Sequence, residues 1–165
     1  MANFNNTFQI NDEYMTPFHV WDDIKHFIPN DKIIWECFPG TGLSKCHLEQ
    51  LGFNVVSDKD DDFYHTNKGD IIITNPPFSD IKNVIERLIH IDKPFILIMP
   101  CSKLTTQYFQ QIFKHKSEHL SIIIPKKRVN FLKVVNGKPQ PTNSCNFDCF
   151  YYCYKMPHIP SITFL

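Results

Sequence analysis

Two consecutive prolines directly after an aliphatic run are the feature that most constrains how this chain can fold. Residues 70–74 form the run, and Asn75, Pro76, Pro77 and Phe78 follow it. A short aliphatic run bounded by a turn predicts a buried parallel strand, and a Pro-Pro pair cannot continue a hydrogen-bonded ladder. The sequence therefore predicts a strand that ends in a rigid loop at the carboxyl edge of a sheet, where open α/β sheets bind their ligands.

That loop carries groups that suit an amine on a flat ring. The side-chain oxygen of Asn75 and the carbonyl of Pro76 would accept the two N–H bonds of the amine, while Phe78 stacks on the ring. The alternative is a strand followed by an incidental Pro-Pro pair, because short motifs also occur by chance. The surrounding sequence decides between these two interpretations.

Strand and helix patterns alternate along the chain, which predicts an α/β layer sandwich. A length of 165 residues with 42% hydrophobic content favours one domain over residues 1–165 with a sizeable core. Strands are predicted at residues 32–37, 53–57, 70–74, 95–99, 120–124 and 146–154, the last of them antiparallel and reached through a turn at Asn136-Gly137. Helices are predicted at residues 17–28, capped by Thr16, and at residues 43–51, 80–91 and 105–113.

Composition argues against a membrane or secreted protein. No apolar stretch approaches the ~20 residues of a membrane helix, and residues 1–11 lack the apolar core of a secretory signal, so an intracellular protein, cytoplasmic or nuclear, is expected. The six cysteines are expected to be free thiols, because a core of this size needs no disulfides. A metal cluster at Cys145, Cys149 and Cys153 is the sharper alternative, although their spacing matches no zinc pattern, so no metal is predicted.

The charges balance overall but are unevenly distributed. The chain has 17 basic and 17 acidic residues, yet Lys126, Lys127 and Arg128 are adjacent, while four aspartates lie within residues 58–62. This split would suit a nucleic-acid-facing edge beside a site for a cationic small molecule. A solvated face explains a lysine run equally well.

Two further motifs follow the first two predicted strands. Residues 36–42 include Gly40 and Gly42, which let backbone approach a ligand beside the start of a helix. This turn lacks both the Gly-Lys-Ser/Thr of a triphosphate site and the third glycine of the dinucleotide fingerprint. Asp58 ends the second strand, where an acid in a doubly wound fold accepts hydrogen bonds from a ribose; a turn aspartate is its alternative. All three motifs are predicted at one edge of one sheet.

Taken together, these residues resemble the S-adenosylmethionine-dependent amino-group methyltransferases, specifically the N6-adenine type that acts on nucleic acid. The resemblance runs over most of the chain and implies a Rossmann-like class I methyltransferase fold with S-adenosyl-L-methionine as cofactor. The family's catalytic signature is matched by Asn75, Pro76, Pro77 and Phe78. Its cofactor-binding positions are matched by Tyr14, Thr16, Pro17, Glu36, Phe38, Gly40, Gly42, Asp58, Asp62 and Phe63.

The resemblance implies methyl transfer to the N6 amine of adenine, with DNA preferred over RNA. Lys126, Lys127, Arg128 and Asn130 would then clamp the nucleic-acid backbone, with Phe131 as a second stacking wall. A solvated loop with one buried phenylalanine is the alternative for this segment.

The chain departs from the family in two places. Residues 59–69 stand where the family usually inserts a helix, a strand and another helix, so the sheet is expected to be trimmed at one edge. No stretch is long enough for the family's target-recognition region, which leaves substrate shape, a short sequence context or a partner subunit to choose the base. Methylation of a protein glutamine at N5 and a catalytically silent fold that binds nucleic acid or a partner are the competing functions.

Overall fold

The computed structural model describes residues 14–142 and 147–165 of the chain. Within them lie ten strands: β1 Tyr14–Met15, β2 Ile33–Trp35, β3 Asn54–Val56, β4 Ile71–Thr74, β5 Phe95–Pro100, β6 Leu120–Ile124, β7 Leu132–Val135, β8 Lys138–Pro141, β9 Cys149–Tyr154 and β10 Ile162–Phe164. The α-helices of this part are α1 Phe18–Asp22, α2 Leu43–Gln50, α3 Ile81–Ile91 and α4 Gln107–Phe113.

Seven of these strands form a central sheet in the order β10-β6-β9-β5-β4-β2-β3. Strand β9 is antiparallel to both of its neighbours, and the other pairings are parallel. This confirms the predicted α/β fold with a mostly parallel sheet and one antiparallel strand near the carboxyl terminus. Strands β3 and β10 are the two edges of this sheet. Residues 59–69 add neither helix nor strand beyond β3, which confirms that the sheet is trimmed at this edge.

The core lies on both faces of the sheet because the central strands are buried on both sides. All residues of β4 and β5 are buried. Side chains of a strand alternate between its faces, so Ile71 and Ile73 join the cluster that contains α1 and α2, while Ile72 joins the cluster that contains α3 and α4. The loop after β4 therefore leaves from the middle of the molecule.

The predicted helix over residues 17–28 is wrong in its length. Helix α1 ends at Asp22, and a short 3₁₀ helix, Lys25–Phe27, follows. Asp22 and Asp23 place negative charge at the carboxyl end of α1, where it opposes the helix dipole. The predicted cap is also wrong, since Pro17 is the residue before the helix and the Thr16 hydroxyl is buried without a hydrogen-bond partner among the described residues.

A small second sheet was not predicted. Strands β7 and β8 form a hairpin around Asn136 and Gly137, whose φ angles of 53° and 75° suit a two-residue hairpin turn. The turn itself was predicted, but it joins these two strands rather than leading to β9. Strand β1 pairs antiparallel with β7, which places the segment around Tyr14 next to the loop after β6. The edge strand β10, parallel to β6, was also missed.

The prediction of free cysteines is confirmed for four of them in the part of the chain that the structure describes. Cys37, Cys46, Cys101 and Cys153 are free thiols, and Cys145 lies outside the described residues. Cys149 and Cys153 are buried on the same face of β9 as Tyr151. No helix among the described residues has both the length and the apolar character to span a membrane.

Candidate active site

The three predicted motifs follow the parallel strands β2, β3 and β4 and therefore lie at the same carboxyl edge of the central sheet. The side-chain Nδ2 of Asn75 donates a hydrogen bond to the backbone carbonyl of Tyr14 at 3.3 Å. The Thr41 hydroxyl contacts the sulfur of Met15 at 2.8 Å. The segment from Tyr14 to Met15 therefore contacts both the turn between β2 and α2 and the loop after β4, as the expected site requires.

Glu36 links that turn to the two neighbouring strands. Its Oε1 accepts hydrogen bonds from the Phe38 N–H, at 3.0 Å, and from the Thr74 hydroxyl. Its backbone carbonyl accepts a hydrogen bond from the Ser57 hydroxyl at 2.7 Å. The side chain is 1% exposed, and burial raises the pKa of Glu36 to about 8 although both hydrogen bonds lower it. Glu36 thus fixes Phe38 relative to Thr74, the residue directly before Asn75.

The glycines of the turn present their backbone to open space. Gly40 and Gly42 have φ angles of 52° and 83°, in the left-handed region that favours glycine. The Gly42 N–H donates to the Pro39 carbonyl at 2.7 Å, which closes a tight turn just before α2. Apart from the adjacent residues of the chain, no heavy atom of the described residues lies within 4 Å of a Cβ added to either glycine. The turn therefore has room for a ligand against its backbone and the start of α2.

Asp58 and Asp62 lie on the surface beyond β3, and both have local partners. Asp58 accepts a hydrogen bond from the Asp60 N–H at 3.0 Å, a contact that the turn alternative explains. Asp62 contacts His65 at 2.7 Å and the Tyr64 N–H at 2.9 Å, and these contacts hold the pKa of Asp62 below its ordinary value.

Phe63 lies beside the turn between β2 and α2. Its ring is 4% exposed and packs on those of Phe38 and Trp35, with centroids 4.7 and 5.9 Å away. Phe63 therefore brings the segment that carries Asp58 and Asp62 against the turn.

The side-chain amide of Asn75 uses its NH₂ group in a hydrogen bond, while its oxygen has no hydrogen-bond partner among the described residues. Because only the NH₂ group can donate to a carbonyl, the bond to Tyr14 fixes the orientation of the amide. Oδ1 is buried and has no hydrogen-bond partner among the described residues. A buried acceptor left unpaired is unfavourable by about 1–3 kcal/mol, and such exceptions call for an explanation, of which a functional role is one.

Phe78 begins a short 3₁₀ helix, Phe78–Asp80, and its ring belongs to an aromatic cluster that we define as Tyr14, Phe78, Phe131 and Phe147. The Phe78 ring meets Phe131 and Phe147 edge to face at 6.0 and 5.3 Å. The expectation of a second stacking wall at Phe131 is wrong for this structure, since its ring is 0% exposed and is packed inside the cluster. The alternative of a solvated loop with one buried phenylalanine describes it.

The basic segment follows β6 at the same edge of the sheet. Lys126, Lys127, Arg128 and Asn130 are exposed. Arg128 pairs with Asp148, with Nε 2.8 Å from Oδ1. The segment is therefore open to a polyanion, with one of its three cations already paired.

Sequence reasoning missed the residues that hold the site together. Thr74 is 0% exposed and bonds Glu36 across the strands, and Ser57 bonds the Glu36 carbonyl. The signal for Thr74 was a hydroxyl at the end of an otherwise aliphatic strand. Met15 and Phe147 carried no comparable signal.

Comparison with known proteins identifies the family. The family model described as adenine-specific methyltransferase EcoRI matches residues 52–144, more than half of the chain and including Asn75–Phe78. No curated protein sequence matches significantly.

Several solved structures share the fold. The "putative RNA methyltransferase" of Pyrococcus horikoshii is 15% identical with a TM-score of 0.59, and 88% of each chain is covered. A dimethyladenosine transferase from Plasmodium falciparum is 14% identical with a TM-score of 0.53, over 85% of this chain and 62% of that one. The modification subunit of a "putative type I restriction enzyme" from Vibrio vulnificus is 12% identical with a TM-score of 0.51, over 90% of this chain and 46% of that one. These likenesses show the class I methyltransferase fold, and the family match shows that the chain belongs to the EcoRI family of adenine-specific methyltransferases.

Proposed function

We propose that this chain transfers a methyl group from S-adenosyl-L-methionine to the exocyclic N6 amine of adenine in nucleic acid, with DNA preferred over RNA. The observation that carries the proposal is the Oδ1 of Asn75, directly after β4, which is buried and has no hydrogen-bond partner in the part of the chain that the structure describes. Its orientation is set by the Tyr14 carbonyl rather than by a ligand. An acceptor prepared in this way suits a substrate N–H group, and the family match supports adenine as the base.

The residues at the turn between β2 and α2 fit the cofactor. The open backbone at Gly40 and Gly42 leaves space for it, and the exposed carboxylates of Asp58 and Asp62 are acceptors suited to ribose hydroxyls and amino groups. When bound, the cofactor supplies an electrophilic methyl group on a sulfonium. The proposed site is completed by Tyr14, Thr16, Pro17, Glu36, Phe38 and Phe63.

The loop after β4 would activate the amine by orienting it. The lone pair of an N6 amine is delocalised into the purine ring, so the amine is a weak nucleophile. Acceptance of its N–H groups by Asn75 Oδ1 and the Pro76 carbonyl favours a pyramidal nitrogen with a directed lone pair. Pro77 restricts the loop and Phe78 stacks on the base, so the rate gain comes from alignment and from preorganised dipoles.

Substrate binding must move side chains near Asn75. Oδ1 has no accessible surface in this structure, so an amine reaches it only after neighbouring groups shift. A base in a duplex must also leave the stack, which costs a few kcal/mol that stacking on Phe78 partly offsets. Lys126, Lys127, Arg128 and Asn130 would hold the backbone of the substrate, and a partner subunit would supply target recognition.

The test is incubation with labelled S-adenosylmethionine and separate pools of DNA, RNA and protein, followed by mass spectrometry of nucleosides and amino acids. We expect N6-methyladenine, more in DNA than in RNA, and at least about 100-fold less of it with Asn75→Ala. Methylglutamine in the protein pool would show that the substrate is instead the N5 amide of a protein glutamine. Cofactor binding without any labelled product would favour a catalytically silent fold.

A further inference from the structure

A cavity of about 400 Å³ shares Lys126 and Lys127 with the proposed substrate-binding residues, and its other lining residues have no role in methyl transfer as described above. We call it the side pocket. One wall comes from α1 and the residue after it, with His19, Val20 and Asp23, and the opposite wall from the loop after β6, with Lys126, Lys127 and Val129. Its volume falls within the range of about 300–1,000 Å³ that is usual for small-molecule sites.

The side pocket combines an apolar floor with a polar rim. Val20, Val129 and Tyr151 form a closely packed floor, and Tyr151 donates its hydroxyl to the Val20 carbonyl at 2.6 Å. The half-buried Pro125 and Leu165 supply the apolar surface that is open to a ligand. On the rim, the side chains of Lys126 and Lys127 are exposed. His19 lies 3.6 Å from the carboxylate of Asp23.

This combination matches the parts of one nucleotide. Lysine ammonium groups suit a phosphate, an apolar floor suits the face of a base, and the Asp23 carboxylate is an acceptor for the amino group of a base edge. A free phosphate would leave the apolar floor unused and would offer no donor to the Asp23 carboxylate, and an acidic peptide would bring further carboxylates beside Asp23.

The position of the side pocket relates it to the target base. The segment that carries Lys126 and Lys127 continues to Phe131, whose ring lies 6.0 Å from that of Phe78. Because β5 and β9 lie between β4 and β6, three strand spacings of about 4.8 Å separate the two strand ends. A nucleic-acid strand whose target base stacks on Phe78 would thus place a nearby nucleotide at the side pocket.

We propose that the side pocket receives an unstacked nucleotide that flanks the target adenine in a single-stranded nucleic acid. The inference rests on the proposed function for the place of the target base. A paired and stacked base could not enter such a pocket, whereas single strands offer splayed bases. DNA and RNA strands both present a nucleoside phosphate to the side pocket, so the test includes strands with deoxyribose and strands with ribose.

The first measurement is binding of labelled ten-residue single strands, each with one adenine among thymidines (DNA) or uridines (RNA), by fluorescence anisotropy. His19→Trp would fill the side pocket from an exposed position and should weaken binding at least fivefold. Lys126→Gln with Lys127→Gln should weaken it about tenfold and reduce the slope of log affinity against log salt by about 0.7 for each phosphate that is no longer neutralised. His90→Trp and Lys114→Gln, at exposed positions outside the side pocket, should stay within twofold.

An abasic scan then separates a pocket from a charged surface. An abasic residue at one fixed offset from the adenine should weaken binding to the wild-type chain at least fivefold and leave binding to His19→Trp unchanged. The arm with the larger loss identifies the preferred sugar. A flat scan, a His19→Trp variant that binds like His90→Trp, or no binding of either strand would overturn the inference.

Methyl transfer is measured separately on the same strands. Methyl transfer together with equal binding at every abasic position would contradict the role of the side pocket and support the proposed function. Binding that depends on the abasic position, without methyl transfer, would support the role of the side pocket and contradict the proposed function. Thermal unfolding of each variant shows whether it is folded. If His19→Trp is not folded, the abasic scan of the wild-type chain provides the test, because Lys126 and Lys127 also belong to the proposed substrate-binding residues.

Discussion

Two parts of the same sheet edge hold their polar groups in opposite ways. In the buried corner, defined as Glu36, Thr74 and Asn75, the carboxyl, hydroxyl and amide groups contact protein atoms. In the exposed rim, defined as Asp58, Lys126 and Lys127, the side chains face solvent. Both belong to the proposed site, but only the corner has its geometry set before any ligand arrives.

The difference teaches which kind of effect each part should have. Groups in a low-dielectric, hydrogen-bonded setting stabilise a transition state without reorganising. Exposed charges act through solvent and are screened by salt. Substitutions in the buried corner should therefore change rate and stability, and substitutions in the exposed rim should change affinity.

The largest expected effect is that of Asn75→Ala. Loss of one preorganised group of this kind lowers rates by about 10²–10³-fold, and methyl transfer should fall at least that far while cofactor affinity changes less than twofold. Single-turnover rates and calorimetry measure the two quantities. The matched control is Asn83→Ala, at an exposed position on α3. Full activity in Asn75→Ala would remove the acceptor role and break the comparison.

Phe78, which follows the buried corner in the chain, tests whether stacking on the base contributes to substrate binding. Base–aromatic stacking contributes about 1–3 kcal/mol, so Phe78→Ala should raise KM for the nucleic acid roughly 5- to 150-fold, whereas Phe78→Trp should stay closer to wild type. Because Phe78 also packs on Phe131 and Phe147, thermal unfolding must accompany the kinetics. Equal rates and KM values for the two variants would argue against stacking.

Asp58 tests whether a residue of the exposed rim affects cofactor affinity rather than rate. Asp58→Ala should weaken cofactor binding about tenfold, the scale of a hydrogen bond to a charged group, with little change in the rate of bound substrate. Asp58→Asn keeps an acceptor for the Asp60 N–H and separates the turn from the ribose contact. Asp60→Ala is the exposed control. An unchanged dissociation constant in Asp58→Ala would leave Asp58 a turn residue only.

The last prediction concerns stability rather than activity, and it is a slope of stability with pH. Burial raises the pKa of Glu36 from 4.5 to about 8, so between these values the folded chain keeps a proton that the unfolded chain has lost. Stability should therefore fall as pH rises through this window, by at most about 1.4 kcal/mol per unit, and level off above it. Glu36→Gln should flatten the slope in denaturant unfolding. An identical slope in both chains would show that Glu36 does not titrate in this window.

Local sequence predicted the helices and strands whose hydrophobic pattern agrees with the turn residues at their ends. The aliphatic strand before Pro76 and the amphipathic helix after it were predicted within one residue, because burial and the proline pair act on the same short segment. The pairing of Glu36 with Thr74 could not be predicted, since it depends on the register of two strands 38 residues apart in the chain. Strand β8 was hidden by its prolines, Pro139 and Pro141, which lower strand propensity although a hairpin edge tolerates them.

The most direct test of the central claim is a crystal structure of the chain with adenosine and S-adenosylhomocysteine. We predict that N6 of the adenine lies about 2.7–3.2 Å from Oδ1 of Asn75, with Nδ2 still bonded to the Tyr14 carbonyl and the base stacked on Phe78. An adenine bound elsewhere, or an Asn75 oxygen directed away from N6, would contradict it.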